Sequence, residues 1–256
     1  METKYSKTAL VTGASSGIGA EFARIFAKKG YHLILVSKSM KSATELLQEL
    51  SGADPYVIER DLTETSAPKD VYDELKERGI KVDVLVNNAG FGDFGLFHEL
   101  KLERQIQMID LNVRALTELT YLFGKDMVAR RSGKILNVAS TASFQPVPLF
   151  SVYAATKHYV LAFSEGIANE WKSFGVTVTA LCPGPTKTNF FKVAAAEKGK
   201  LSKQKRAGAH DVALFGYKAM QKGKTVVVFG AKNSFLVQVT RFVPRNLVTK
   251  IARAMQ

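Results

Sequence analysis

In the stretch SVYAATKHYVLAF a phenol and an ammonium stand four positions apart, at Tyr153 and Lys157, in a run that otherwise reads as a buried apolar helix. Residues i and i+4 of an α-helix share a face about one turn apart, so the two head groups point the same way. A free tyrosine has a pKa near 10, about three units too high to exchange protons readily at neutral pH, and an adjacent positive charge favours its phenolate. The pair therefore suits general acid–base chemistry, provided it does more than end up side by side. Its polar neighbours do not extend it: the helical step of about 100° turns His158 away, and Tyr159 faces away from Lys157. His32, His98 and His210 show no metal-ligand spacing with Cys or acids, so no metal site is expected. The single cysteine, Cys182, cannot form an internal disulfide, and its apolar setting TALCPG makes it a packed hydrophobe rather than a nucleophile.

The elements that must hold this pair follow from the rhythm of the chain. Seven short aliphatic or β-branched runs, TALVTG, HLILVSK, YVIERDL, VDVLVNNAG, GKILNVAS, VTVTALCPG and TVVVFG, alternate with amphipathic stretches. Near-continuous hydrophobicity in strands spaced by helices requires a parallel sheet covered on both faces, so the expected fold class is α/β, a doubly wound Rossmann-type sandwich. Ligands then bind at the carboxyl ends of the strands, where strand order reverses. The 256 residues, 46% hydrophobic, suffice for one core, and no composition shift divides them, so residues 1–256 are expected to form one domain. The segment from about 189 to 222, bounded by the turn signal PGP, reads as a lid or surface excursion over the substrate.

The first run leads into TGASSGIG and then a helical pattern. Gly13, Gly17 and Gly19 space as G-x-x-x-G-x-G, a turn that brings backbone close to a pyrophosphate and aims a helix N-terminus at its charge. An NAD-preferring site would carry an acid at the end of the second run; here Ser37 takes that place, followed by Lys38 and Lys41, and an ammonium there stabilises a 2′-phosphate. NADP is therefore expected over NAD. Asp61 and Leu62, after the third run, stand where an adenine ring could meet a carboxylate and an apolar edge.

With the glycine turn, NNAG at Asn87 to Gly90, Asn112 in LNVRAL, Ser140 in NVAST and the Tyr153/Lys157 pair, the sequence resembles the short-chain dehydrogenase/reductase family from about Lys7 to Thr188. Its motifs occur in the family's order, Ser140 preceding Tyr153 by 13 positions. The tail VPRNLV adds a resemblance to members that reduce carbonyl compounds, steroids or long-chain acyl ketones. The resemblance implies hydride transfer between a nicotinamide and a carbonyl or carbinol carbon. Tyr153 would be the general acid/base, with its pKa lowered by Lys157; Ser140 would hydrogen-bond the reacting oxygen; Asn112 would hold a water linking Lys157 to solvent. Lys157 and Tyr153 would also touch the cofactor. Ser15, Ser16 and Ile18 belong to its phosphate turn, Asn88, Ala89 and Gly90 would line its nicotinamide side, and Pro183, Gly184, Thr186 and Thr188 would hold its carboxamide and a phosphate.

Phe91, Phe94, Phe144, Val147, Phe150, Phe190 and Phe191 follow or flank these motifs and together favour a hydrophobic ketone or aldehyde. The formal charge of +13 resides wholly in the last quarter: Lys187 to Gln256 holds 15 Lys and Arg against 2 acids, and the remainder balances at 21 each. Such a lobe attracts anions or simply keeps the surface solvated. The basic tail, about 233 to 256, is split by Pro244 and could cover the pocket, pack on a second subunit of a homodimer or homotetramer, or lie on an anionic membrane, the last being the least favoured. No leader-like start and no run of about 18 apolar residues is present, so a soluble, cytoplasmic protein is expected. Two other functions compete. One is a non-catalytic NADP(H)-sensing protein with a basic partner-binding lobe, against which the intact Ser140, Tyr153 and Lys157 set weighs. The other, nucleic-acid binding, lacks a recognisable module.

Overall fold

The structure is a computed structural model that describes residues 7–39, 43–196 and 206–255; Lys41 and the middle of the expected lid lie outside the described residues. Seven strands form one sheet: β1 (Thr8–Thr12), β2 (His32–Ser37), β3 (Tyr56–Glu59), β4 (Val84–Asn87), β5 (Gly133–Val138), β6 (Val176–Cys182) and β7 (Val226–Val228). Their order is β3-β2-β1-β4-β5-β6-β7, every pair parallel. The helices are α1 (Gly17–Lys28), α2 (Thr44–Glu49), α3 (Ala67–Glu77), α4 (Leu102–Ile109), α5 (Leu116–Ala129), α6 (Ser151–Trp171), α7 (Phe190–Val193), α8 (Ala209–Gln221), α9 (Ala231–Val239) and α10 (Arg245–Ala254). The expected doubly wound architecture is the one observed.

The strand period of two explains why these runs are apolar throughout. On β1, Ala9 and Val11 pack with Phe22 and Phe26 of α1 and Val212 and Met220 of α8. Leu10, between them, packs on the opposite face with Val71 and Leu75 of α3, Leu119 and Phe123 of α5 and Ile167 of α6. Both faces must be covered, so the strands are apolar along most of their length. Phe22 and Phe26 are fully buried, each contributing about 1.5–3 kcal/mol relative to exposure.

The placement of α8 shortens the expected lid. Its Val212, Ala213 and Met220 are core residues, because that face is the apolar cover the sheet needs opposite α3 and α5. Among the described residues of 189–222, those that flank the cleft are Asn189, Phe190, Phe191, Val193 and Ala207, all before α8.

Strand order reverses between β1 and β4, and side chains fasten that point. Asn88 donates from Nδ2 to the carbonyls of Thr12 (2.9 Å) and Gly13 (3.1 Å), while the Asn88 and Ala89 N–H groups donate to Thr12 Oγ1. Beneath it a buried chain crosses the sheet: Asn87 Nδ2 donates to Thr120 Oγ1 and Asn137 Oδ1, Asn137 Nδ2 to Ser164 Oγ, and Ser164 to the Val160 carbonyl. Linked polar groups in a low-dielectric core hold β4, β5, α5 and α6 in one register.

Candidate active site

At the carboxyl ends of the strands lies a cavity of about 930 Å³, lined by the glycine turn, the segments after β4, β5 and β6, the face of α6, α7 and the two tail helices. The turn has the shape of a phosphate cradle. Gly13 and Gly17 take φ of +61° and +57°, a region that disfavours side chains. A Cβ on Gly19 would sit 2.3 Å from the Gly13 carbonyl oxygen and 2.4 Å from Asn88 Nδ2. Ser15, Ser16 and Ile18 line the cavity beside them, and Gly17 opens α1, whose unpaired N–H groups face the cleft end of the turn. Gly19→Ala is accordingly expected to push the Asn88 amide out of the turn and weaken dinucleotide binding at least tenfold, read by cofactor titration, with the fold retained by circular dichroism.

Three catalytic candidates, Ser140, Tyr153 and Lys157, line the cavity, whereas Asn112 is buried and does not line it. Ser140 ends the loop after β5 and caps the short turn Thr141–Phe144; its Oγ accepts the Ala142 N–H at 3.1 Å, and Ser143 Oγ accepts the Ser140 N–H at 3.2 Å. That leaves the Ser140 O–H to donate toward the Tyr153 phenolic oxygen, the bond that opposes the rise of the phenol pKa. Tyr153, on the first turns of α6, lines the same space, as does Lys157. Lys157 is 5% exposed, and its Nζ donates to the Val138 carbonyl at 2.8 Å and lies 5.9 Å from the Tyr153 ring centroid. Asn112 sits in a π-helical turn, Asp110–Ala115, that joins α4 to α5; such turns recur where a side chain must be re-aimed. Its amide clasps the backbone of Phe91 from both sides and reaches Thr156 Oγ1 at 3.1 Å. Asn112 Oδ1 and Lys157 Nζ both lie within 3.5 Å of where a Cβ on Gly90 would stand, so the two groups flank the same bare glycine.

The electrostatics differ from the sequence expectation. Burial pushes the Tyr153 phenol up to about 12, the hydrogen bond with Ser140 being the only opposing influence, and burial drops the Lys157 ammonium to about 8. The expected lowering of Tyr153 by Lys157 is therefore not a property of the protein alone. The reason is physical: the ammonium is spent on the Val138 carbonyl and lies over the ring, not at the phenolic oxygen.

Asn88, Ala89, Gly90, Pro183, Gly184, Thr186 and Thr188 all line the cavity as expected. The side chain of Thr188 closes over the glycine turn, within 2.9 Å of a Cβ on Gly17. Four other expected cofactor residues stand apart, since Ser37, Lys38, Asp61 and Leu62 do not line this cavity. Ser37 is buried and bonded to the Ser39 backbone. Leu62 is buried in the core cluster under β2 and β3 and offers no side-chain edge to a ring. Lys38, 77% exposed, pairs with Asp61 at 2.5 Å. Burial alone would raise the Asp61 carboxyl, but the bonds from Lys38 and Thr63 outweigh it and hold the acid below its usual range.

Among the apolar candidates, Phe91, Val147, Phe150, Phe190 and Phe191 line the cleft. The Tyr153 ring lies 5.7 Å from Phe150 and 5.1 Å from Phe190. Phe94 backs Phe150 at 5.1 Å, whereas Phe144 packs on a different cluster with Ala139 and Cys182. His158 bonds its own helix at Ala154, and Tyr159 meets Thr117, so neither joins the site. Cys182 is buried, its thiol pushed up to about 12 by burial, as a packed and unreactive side chain would be.

Sequence reasoning missed Arg104. It reaches from α4 to α7, donating to the Val193 carbonyl at 2.8 Å, pairing with buried Asp93 at 3.3 Å and stacking over Phe91 at 4.7 Å. Nothing local in LERQIQ signals this reach; only the fold brings α4 under α7.

A dinucleotide fits the residues present, for the cradle excludes Cβ atoms where backbone must approach a phosphate, and the cavity runs from that cradle to the phenol. Among the described residues no group of His, Cys, Asp and Glu suits a metal ion. Comparison with known proteins agrees with this geometry. The chain matches the family described as short chain dehydrogenase over residues 7–199. It is 38% identical over 179 residues to 2-dehydro-3-deoxy-D-gluconate 5-dehydrogenase of Bacillus subtilis, covering 70% of each chain. It is 32% identical over 182 residues to 17-beta-hydroxysteroid dehydrogenase type 3 of Mus musculus, covering 68% of this chain and only 58% of that one. A short-chain dehydrogenase from Sphingobium yanoikuyae in complex with NADPH superposes with a TM-score of 0.82 at 29% identity, over 92% of this chain and 93% of that one. The glycine turn, the reversed strand order and the serine, tyrosine and lysine at the cavity floor thus make this chain a member of the short-chain dehydrogenase family.

Proposed function

We propose that the protein is an NADPH-dependent reductase, reversible in principle, of an apolar ketone or aldehyde. The observation that carries this reading is the packing of Phe150 and Phe190 directly against Tyr153, so that the proton donor opens into an aromatic pocket. The relatives by name act on substrates as unlike as a sugar acid and a steroid, and the pocket's own chemistry favours the second kind. A polar substrate would leave its hydroxyls unpaired against those rings.

Bound NADPH would supply the hydride. Tyr153 gives its proton to the carbonyl oxygen as that atom gains charge, and Ser140 steadies the same oxygen with its O–H. Lys157 binds the nicotinamide ribose and, with a nucleotide in place, biases the phenol toward ionisation. Asn112 holds the water that restores the proton through Lys157. The cradle from Gly13 to Gly19, with Thr188 over it, carries the pyrophosphate. NADPH is favoured over NADH because β2 ends on Ser37, followed by Lys38, with no acid at either place, and the Lys38 ammonium has donors to spare beyond Asp61. We further read it as a cytoplasmic homodimer or homotetramer. Exposed Leu102, Ile106 and Ile109 of α4 are the kind of surface a second copy covers.

The test is steady-state oxidation of NADPH against ketones graded by chain length and ring content. Efficiency is expected to rise with apolar area, and NADH to serve poorly. Lys38→Ala should cut the preference for NADPH about tenfold. Activity confined to small polar ketones would overturn the substrate reading.

A further inference from the structure

The basic tail folds back over the cleft. Lys232, Asn233, Leu236 and Val237 of α9, and Ala252 and Met255 of and beyond α10, line the cavity mouth. That accounts for only part of its apolar surface. On α10, Val248 and Ala252 face the body of the protein, but Leu247, Ile251 and Met255, spaced at i, i+4 and i+8, form a stripe that stays largely exposed. Phe242, in the turn before Pro244, is 87% exposed, and Phe235 is 68% exposed. Two phenylalanines and a continuous aliphatic stripe in water are costly unless something covers them.

The charge of the segment says what covers it. From Ala231 to Met255 there are five basic residues, Lys232, Arg241, Arg245, Lys250 and Arg253, and no acid. All five are exposed, and among the described residues none has a carboxylate partner. A second copy of this chain meeting the face about a two-fold axis would set this positive surface against itself. An anionic bilayer satisfies both halves: acyl chains take the phenylalanines and the stripe, and lipid phosphates take the arginines and lysines. No helix among the described residues is long and apolar enough to cross a membrane, so the contact is one of lying on the surface.

We infer that α9, α10 and the Phe242 turn form a docking face for an anionic lipid surface. Leu236 and Met255 belong to both the face and the cavity mouth, so docking sets the mouth against the bilayer. An apolar carbonyl compound dissolved there would enter without crossing water, a consequence that rests on the reductase reading above.

The experiment is sedimentation of the full chain with vesicles of phosphatidylcholine alone or mixed with phosphatidylglycerol. Binding is expected to the mixed vesicles only and to fall as salt is raised. The double substitution Phe235→Ser with Phe242→Ser is expected to weaken it by about a hundredfold, tenfold for each ring. Replacing Arg245 and Arg253 by Gln should weaken it about fivefold per charge. None of these four side chains lines the cavity, so turnover of a water-soluble ketone should be unchanged. Absence of binding to anionic vesicles, or full binding by the phenylalanine variant, overturns the inference. A fall in subunit number in that variant, measured by light scattering, overturns it too and assigns the face to a second copy. Vesicle binding with no turnover of any ketone would keep the docking face and remove the substrate route along with the reductase reading.

Discussion

Tyr153→Phe is expected to reduce turnover by a factor of about 10² to 10⁴, the usual contribution of one positioned general acid, while cofactor affinity stays near that of the unaltered protein. The substitution removes only the phenolic oxygen. The ring keeps its places 5.7 Å from Phe150 and 5.1 Å from Phe190, so the pocket wall survives and the loss is one of proton transfer. The glycine turn and the Val138 contact of Lys157 do not touch that oxygen. The check is steady-state turnover with NADPH and an apolar ketone, beside quenching of protein fluorescence by NADPH. Turnover within a few-fold of normal would remove Tyr153 from the mechanism. A parallel loss of NADPH affinity would instead make the residue a binding group. The same variant has a signature in stability. Because folding raises the Tyr153 pKa from 10.0 to about 12, the unfolded chain ionises first, and stability is lost as pH rises from 10 to 12. Tyr153→Phe should abolish that component of alkaline unfolding.

Those parts of the site that depend on short spacings were legible in the sequence. The turn from Gly13 to Gly19, the pairing of Tyr153 with Lys157 and the tetrapeptide from Asn87 to Gly90 each act within one loop or one helical turn, where local geometry decides. The sheet was legible for a related reason, since Ala9, Leu10 and Val11 must be apolar on both faces in any parallel sheet covered on both sides. What escaped depends on topology. Asn87, Thr120, Asn137 and Ser164 meet only because β4 and β5 are neighbours with α5 and α6 above them. Each would read singly as an ordinary polar residue. Arg104 reaches Val193 across 89 positions. The expected lid shrank because α8 is needed as core cover, and an amphipathic pattern does not say which core it serves. The rise of the Tyr153 pKa in the protein alone was not legible because a neighbour's charge is visible in a sequence and burial is not. At this site desolvation is the larger influence.

Lys157→Met should separate catalysis from stability. The ammonium is 5% exposed, bonded to one carbonyl and, among the described residues, paired with no carboxylate. Its neighbour Cys182 stays a neutral thiol, pushed up to about 12. Burial lowers the Lys157 pKa from 10.5 to about 8, so the charged form is carried into the fold at a cost. The direction follows from linkage: a pKa depressed by folding gives stability that is present above pH 10.5 and lost as pH falls through 8. Its size is on the order of 3 kcal/mol across that window. Lys157 thus contributes a rise in stability that begins near pH 8, opposed from pH 9 by Cys182, whose thiol folding raises from 9.0 to about 12, and from pH 10 by Tyr153. In Lys157→Met that contribution should be missing, most clearly between pH 8 and 9, below the competing titrations of Cys182 and Tyr153. At neutral pH the methionine relieves the buried charge but orphans the Val138 carbonyl, which costs about 1–3 kcal/mol. Near-equal stability at pH 7 is therefore the expected result, together with a loss of turnover of about a hundredfold or more and weaker NADPH binding. Urea unfolding at several pH values measures the first, and kinetics the second. A variant that keeps the wild-type rise in stability would show that Lys157 is not the group titrating there. One that keeps turnover would show that the ammonium serves structure alone.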